Sequence, residues 1–105
     1  MIIGVTGDTH NNLKNISIIC SIFNENRADL VFHTGDISLP KSLLEFKALN
    51  CPIIAVLGNN DIGEEEGLRQ ASRDFDCEIN TEPFFTRLKD KNISVIHHPE
   101  LITEK

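Results

Sequence analysis

The chain has 105 residues, 40% of them apolar and 25% charged, which points to a single globular domain with a modest core. Its net charge of −6 argues against broad nucleic-acid binding through phosphates, which needs a basic surface, yet admits a phosphate-bearing substrate if cations intervene. No apolar run approaches the roughly 20 residues of a membrane span. The three cysteines, Cys20, Cys51 and Cys77, form no C-x-x-C pair and read as reduced core thiols rather than a disulfide frame or zinc site.

The elements alternate along the chain. Residues 1–6, "MIIGVT", form a continuous apolar run, as expected of a strand covered on both faces. This start lacks a basic leader, so the cytoplasm is the expected location. Leu13, Ile16, Ile19 or Cys20, and Phe23 then recur at helical spacing. A second buried strand, "DLVFHT", spans 29–34. Residues 40–49 carry Leu43, Leu44 and Leu49, with Pro40 placed for a first helical turn. "PIIAVL", 52–57, is a third strand. Residues 64–75 predict a short helix whose leading glutamates suit the positive end of its dipole and read as a solvated helix start. "CEIN", "FFTRL" and "NISVIH" follow as strand candidates, the last two flanking "KDKN" as a hairpin loop. Phe84 and Phe85 read as core residues. No repeat, linker or low-complexity tract interrupts the order. Strand–helix–strand–helix–strand predicts two βαβ units, a parallel sheet and a β-rich tail.

The strand ends are where chemistry gathers. The first strand runs into Gly7-Asp8-Thr9-His10, the second into Gly35-Asp36, the third into Gly58-Asn59-Asn60-Asp61, and the last into His97-His98. Ligands of parallel sheets bind outside the carboxyl ends of the strands. If all these strands run parallel, Asp8, His10, Asp36, Asn59 and His97 converge on one rim. Carboxylates brought together repel one another and lose hydration, and divalent cations relieve both penalties. Carboxylate, imidazole and amide donors without thiolate suit manganese, iron, zinc, magnesium or nickel. Taken singly, Gly, Asn and Asp are turn residues and Asp36 could cap a helix. His33, inside the second strand, reads as a core or supporting histidine rather than a ligand.

"GDTH", "GD", "GNND" and "IHHPE", in this order over residues 7–98, resemble the motifs of the calcineurin-like metallophosphoesterase superfamily. The family pattern is D-x-H, G-D, G-N-x-[D/E], a histidine and finally G-H-x-H. The nearest likeness is to the small bacterial and archaeal phosphodiesterases of the YfcE-like group. The resemblance implies a four-layer α/β/β/α sandwich, a mainly parallel sheet with flanking helices and a β-rich C-terminal part. It implies two divalent cations, manganese foremost, and hydrolysis of a phosphoester, expected to be a phosphodiester, by a metal-bound hydroxide. Carried over by position, Asp8 and His10 bind the first ion, Asp36 bridges both, and Asn59 and His97 bind the second. Asn60 and Asp61 complete the expected catalytic set. Asn60 stands where many members have a histidine thought to act as general acid, and Asp61 holds neighbouring groups in place. The closing G-H-x-H is absent, so residues 1–105 are expected to be one incomplete domain that binds metal weakly and self-associates through exposed sheet. The competing expectation is a metallophosphoesterase fold kept as a protein-interaction scaffold. A receiver domain would need a lysine after "ISVIH", and a haloacid-dehalogenase-like phosphatase would need D-x-D where D-T-H stands.

Overall fold

The computed structural model describes residues 1–95; at Asn59, Asn60 and Ile62 it describes the backbone alone. Four strands, β1 (Ile3–Thr6), β2 (Leu30–His33), β3 (Ile53–Val56) and β4 (Cys77–Asn80), form a parallel sheet in the order β1-β2-β3-β4. They are joined by the helices α1 (Leu13–Glu25), α2 (Pro40–Leu44) and α3 (Glu65–Ser72). A second sheet is the antiparallel hairpin of β5 (Phe84–Leu88) and β6 (Lys91–Val95). This is the α/β architecture expected, and no helix among the described residues is long and apolar enough to cross a membrane.

Sequential strand order with right-handed crossovers puts every helix on one face of the sheet. The packing follows from the two-residue period of the strands. Val31, Ile53, Ala55 and Ile79 face the helices and pack with Ile16, Cys20, Leu43, Phe46 and Leu68. Phe32 and Val56 point the other way and meet Val95, with Phe84, Leu88 and Ile93 of the hairpin around them. The described residues thus make three layers: helices, parallel sheet, hairpin. Each fully buried Leu, Ile, Val or Phe contributes about 1.5–3 kcal/mol relative to exposure.

Local chemistry explains the element ends. The Asn12 side chain accepts from Asn15 N–H and caps α1. Pro40 opens α2, which tightens after one turn into a 3-10 segment, Glu45–Ala48, so the predicted helix 40–49 is shorter and mixed. Glu65 and Glu66 lie in the first turn of α3, as expected.

Two expectations need correction. The hairpin loop is not "KDKN" but Lys89-Asp90; both adopt positive φ (49° and 66°), which matches the strand twist of a two-residue turn, so Lys91 and Asn92 pair within β6. Phe85 is 56% exposed while Phe84 is packed, because neighbouring residues of a strand face opposite sides. The hairpin itself is as expected: β6 pairs antiparallel with β5, while β4 joins β3 as the fourth parallel strand.

Candidate metal centre

Beyond the last ladder residues of β1 and β2 the two turns stay hydrogen-bonded to each other. Thr34 N–H donates to Thr6 O (2.9 Å), Asp8 N–H to Gly35 O (2.9 Å) and His10 N–H to Asp36 O (2.8 Å). The two polar segments therefore leave the sheet side by side. Gly7 permits this closeness: a Cβ there would collide with Thr34 Oγ1.

Past that point the backbone curls. Asp8 (φ 51°), His10 (φ 48°) and Asp36 (φ 64°) all adopt the left-handed region, and so does Gly35 (φ 114°). Aspartate and histidine are among the non-glycine residues that tolerate it best, yet such conformations still cost of order 1 kcal/mol or more each. That cost is borne at the three residues whose side chains meet. One ligand atom from each of Asp8, His10 and Asp36 lies within 4.8 Å of the other two. Asp36 is buried, whereas Asp8 and His10 are exposed, so the cluster is anchored on one side and open on the other.

The donor set fits a divalent cation. Two carboxylates at this separation repel, and an imidazole nitrogen beside them completes a hard-to-borderline O/N set with no thiolate among its members. Asp8, His10 and Asp36 would hold the ion.

Asp61 does not join this cluster. It turns inward, is fully buried, and spends its carboxylate on backbone. Oδ2 accepts from Asp36 N–H and Gly58 N–H, both at 2.8 Å, and Oδ1 accepts from Ser38 N–H at 2.6 Å. At the third position of the 3-10 segment Asn59–Glu64 it reaches back to Gly58, the residue that caps that segment, one half of a capping box. Its other two bonds cross to the turn after β2. Charge-assisted bonds of this kind are the strong ones. Asp61 thereby clamps the turn carrying Asp36 to the end of β3.

The remaining predicted residues divide as follows. The backbone of Asn59 and Asn60 sits on the 3-10 segment at the end of β3, so their segment reaches the same rim, while their side chains lie outside the description. His97 and His98 lie outside the described residues. Sequence reasoning left two contacts unforeseen. His33 Nε2 lies 2.8 Å from Thr9 Oγ1. The buried Ser42 hydroxyl donates to Asn11 Oδ1 at 2.8 Å, tying the turn after His10 to α2. The buried strand-end histidine was a visible signal for the first; nothing in the sequence marked the second.

The calcineurin-like phosphoesterase superfamily domain matches the chain over residues 1–104. A phosphodiesterase of Methanocaldococcus jannaschii is 35% identical over 106 residues, 99% of this chain and 63% of that protein. A solved structure described as a novel archaeal phosphodiesterase is similar with a TM-score of 0.87 at 33% identity, covering 96% of this chain and 62% of the other. The chain therefore spans less than two thirds of the length of either relative.

Proposed function

The chain belongs to the calcineurin-like phosphoesterase superfamily, and from that premise we propose that it hydrolyses phosphoesters, phosphodiesters foremost, with divalent cations held at the strand ends. The observation that carries this reading is the meeting of Asp8, His10 and Asp36 within 4.8 Å on turns from two adjacent parallel strands. The phosphodiesterases it resembles point the same way. We assign Asp8 and His10 to a first cation, Asp36 to a bridging position, and Asn59 and His97 to a second cation. Manganese is the favoured metal, with iron, zinc, nickel and magnesium as alternatives of suitable ligand preference. Bound there, divalent cations supply Lewis acidity toward phosphoryl oxygens and a lowered pKa for water.

The residues themselves do the rest. Asp8 and His10 lie on the exposed side of the cluster, so cations held there would be open to an anionic ester that a protein of net charge −6 would otherwise repel. Asp36, buried and clamped through its backbone N–H by Asp61, stays fixed while substrates come and go. Asn60 cannot release a proton at neutral pH, so esters with good leaving groups are the better substrates.

Metal content and hydrolysis of bis(p-nitrophenyl) phosphate with added Mn²⁺, in the protein and in Asp36→Asn, test the proposal. Manganese-dependent turnover is expected, falling at least tenfold in the variant together with bound metal. Metal uptake without any hydrolysis would favour the non-catalytic scaffold instead. Unchanged metal and rate in Asp36→Asn would remove the bridging role.

A further inference from the structure

His33 closes β2 and is fully buried, yet the ligand assignment above leaves it out. Two hydrogen bonds of its ring bear on the site. Gly35 N–H donates to Nδ1 at 3.0 Å. A backbone N–H can only donate, so Nδ1 carries a lone pair and the proton of the neutral ring sits on Nε2. Nε2–H then donates to Thr9 Oγ1, 2.8 Å away. Phe46 meets the ring edge-to-face, with centroids 5.5 Å apart and planes at 88°, which fixes the ring plane.

The two partners are informative by position. Thr9 stands between Asp8 and His10 and is only 3% exposed. Gly35 directly precedes Asp36. One imidazole therefore grips the middle of one ligand-bearing turn and the approach to the other. Both turns are held in left-handed backbone at the ligand residues themselves, a conformation that relaxes unless its surroundings hold it. The backbone bonds between the turns fix their spacing. The Thr9 side chain adds a tie from the middle of the Asp8–His10 turn to the end of β2.

We propose that His33, as its Nε2–H tautomer, is a positioning residue: through Thr9 it orients Asp8 and His10 toward the point that Asp36 faces. The inference rests on the metal reading of the site. It makes the hydroxyl at position 9 part of the site's construction, although Thr9 is not one of the assigned ligands.

The test uses Mn²⁺ alone as the probe. Binding is titrated by the electron paramagnetic resonance of free Mn²⁺ for the protein and for Thr9→Val, Thr9→Ser, His33→Asn and the Thr9→Val/His33→Asn pair. Thr9→Val keeps shape and removes the hydroxyl; Thr9→Ser keeps the hydroxyl; His33→Asn keeps an acceptor for Gly35 N–H but falls short of Thr9. Thr9→Val and His33→Asn are each expected to weaken Mn²⁺ binding about tenfold, as loss of outer supporting bonds does. The pair should lose little more than either alone, because both break one bond. Thr9→Ser should bind within about twofold of the parent. Imidazole ¹⁵N shifts of His33 should show the Nε2–H form. Equal Mn²⁺ affinity in the parent and a folded Thr9→Val overturns the positioning role, and so does additive loss in the pair or a proton on Nδ1. A parent protein that takes up no Mn²⁺ at all sinks the metal reading itself, and the inference with it; the parent titration thus tells the two failures apart.

Discussion

Replacing Asp61 with asparagine removes one charge and one acceptor from a site closed to bulk solvent. The residue is 0% exposed and accepts three backbone N–H bonds, from Asp36, Gly58 and Ser38. The amide oxygen can take only one of the two carboxylate places. In the better orientation it replaces Oδ2 and keeps Asp36 and Gly58 N–H, now as neutral bonds. The NH₂ group then faces Ser38 N–H, donor against donor. Bonds to a charged acceptor contribute about 1.5–3 kcal/mol and neutral ones about 0.5–1.5, while a buried unsatisfied group costs about 1–3 kcal/mol. Two weakened bonds and one lost bond sum to about 3–5 kcal/mol, a large part of the 5–15 kcal/mol of a typical domain. In urea denaturation followed by circular dichroism, the midpoint should fall by roughly 2–3 M with little change in slope. Asp29→Asn is the matched control. Its carboxylate accepts Ile2 N–H at 2.8 Å in an exposed setting, so its loss should cost about 0.5 kcal/mol or less. A loss below about 1 kcal/mol for Asp61→Asn would refute the reasoning, because the three N–H groups would then have other partners to turn to.

Gly7→Ala places a methyl against Thr34 Oγ1 and 3.4 Å from Thr34 Cβ, so it should cost about 1–3 kcal/mol, partly recovered by adding Thr34→Ala, as thermal unfolding would show. Burial pushes the Cys20 thiol up to about 11 and the Cys77 thiol up to about 12, with neighbouring carboxylates adding to each shift. At pH 8 these correspond to about one thiolate in a thousand and one in ten thousand, so mass-detected alkylation should be slow at both and quicken with pH; fast labelling of Cys77 at pH 8 would contradict its packing. The same shifts raise proton affinity in the folded chain, so their stabilising effect is complete below about pH 9 and is lost as pH climbs toward 11–12. Asn60→His should speed an alkyl phosphodiester more than a nitrophenyl one, because only the poor leaving group needs a proton; an equal effect on both would argue against an acid role at this position.

The element types were legible because they depend on local period. Alternation or continuous apolarity marked β1 to β3, and Leu13, Ile16, Cys20 and Phe23 marked the buried stripe of α1. Asp8, His10 and Asp36 were legible as a group because glycine-led polar residues at parallel strand ends have one place to go. What the sequence could not decide was partnership across the fold. The loop ahead of "NISVIH" marked a hairpin, but nothing in "CEIN" says that it becomes the fourth parallel strand. Local pattern records that a segment is extended, not which edge it finds. Phe84 and Phe85 are equally apolar, and only the layer beneath the hairpin decides which one is covered. Asp61 and Asp36 lie 25 residues apart, and His33 and Thr9 lie 24 apart. A buried carboxylate or imidazole must find donors or acceptors, and sequence states that need without naming who meets it. The pairing of β1, β2 and β3 brings their ends together, and that proximity alone selects Asp36, Ser38 and Gly58 for Asp61, and Thr9 for His33.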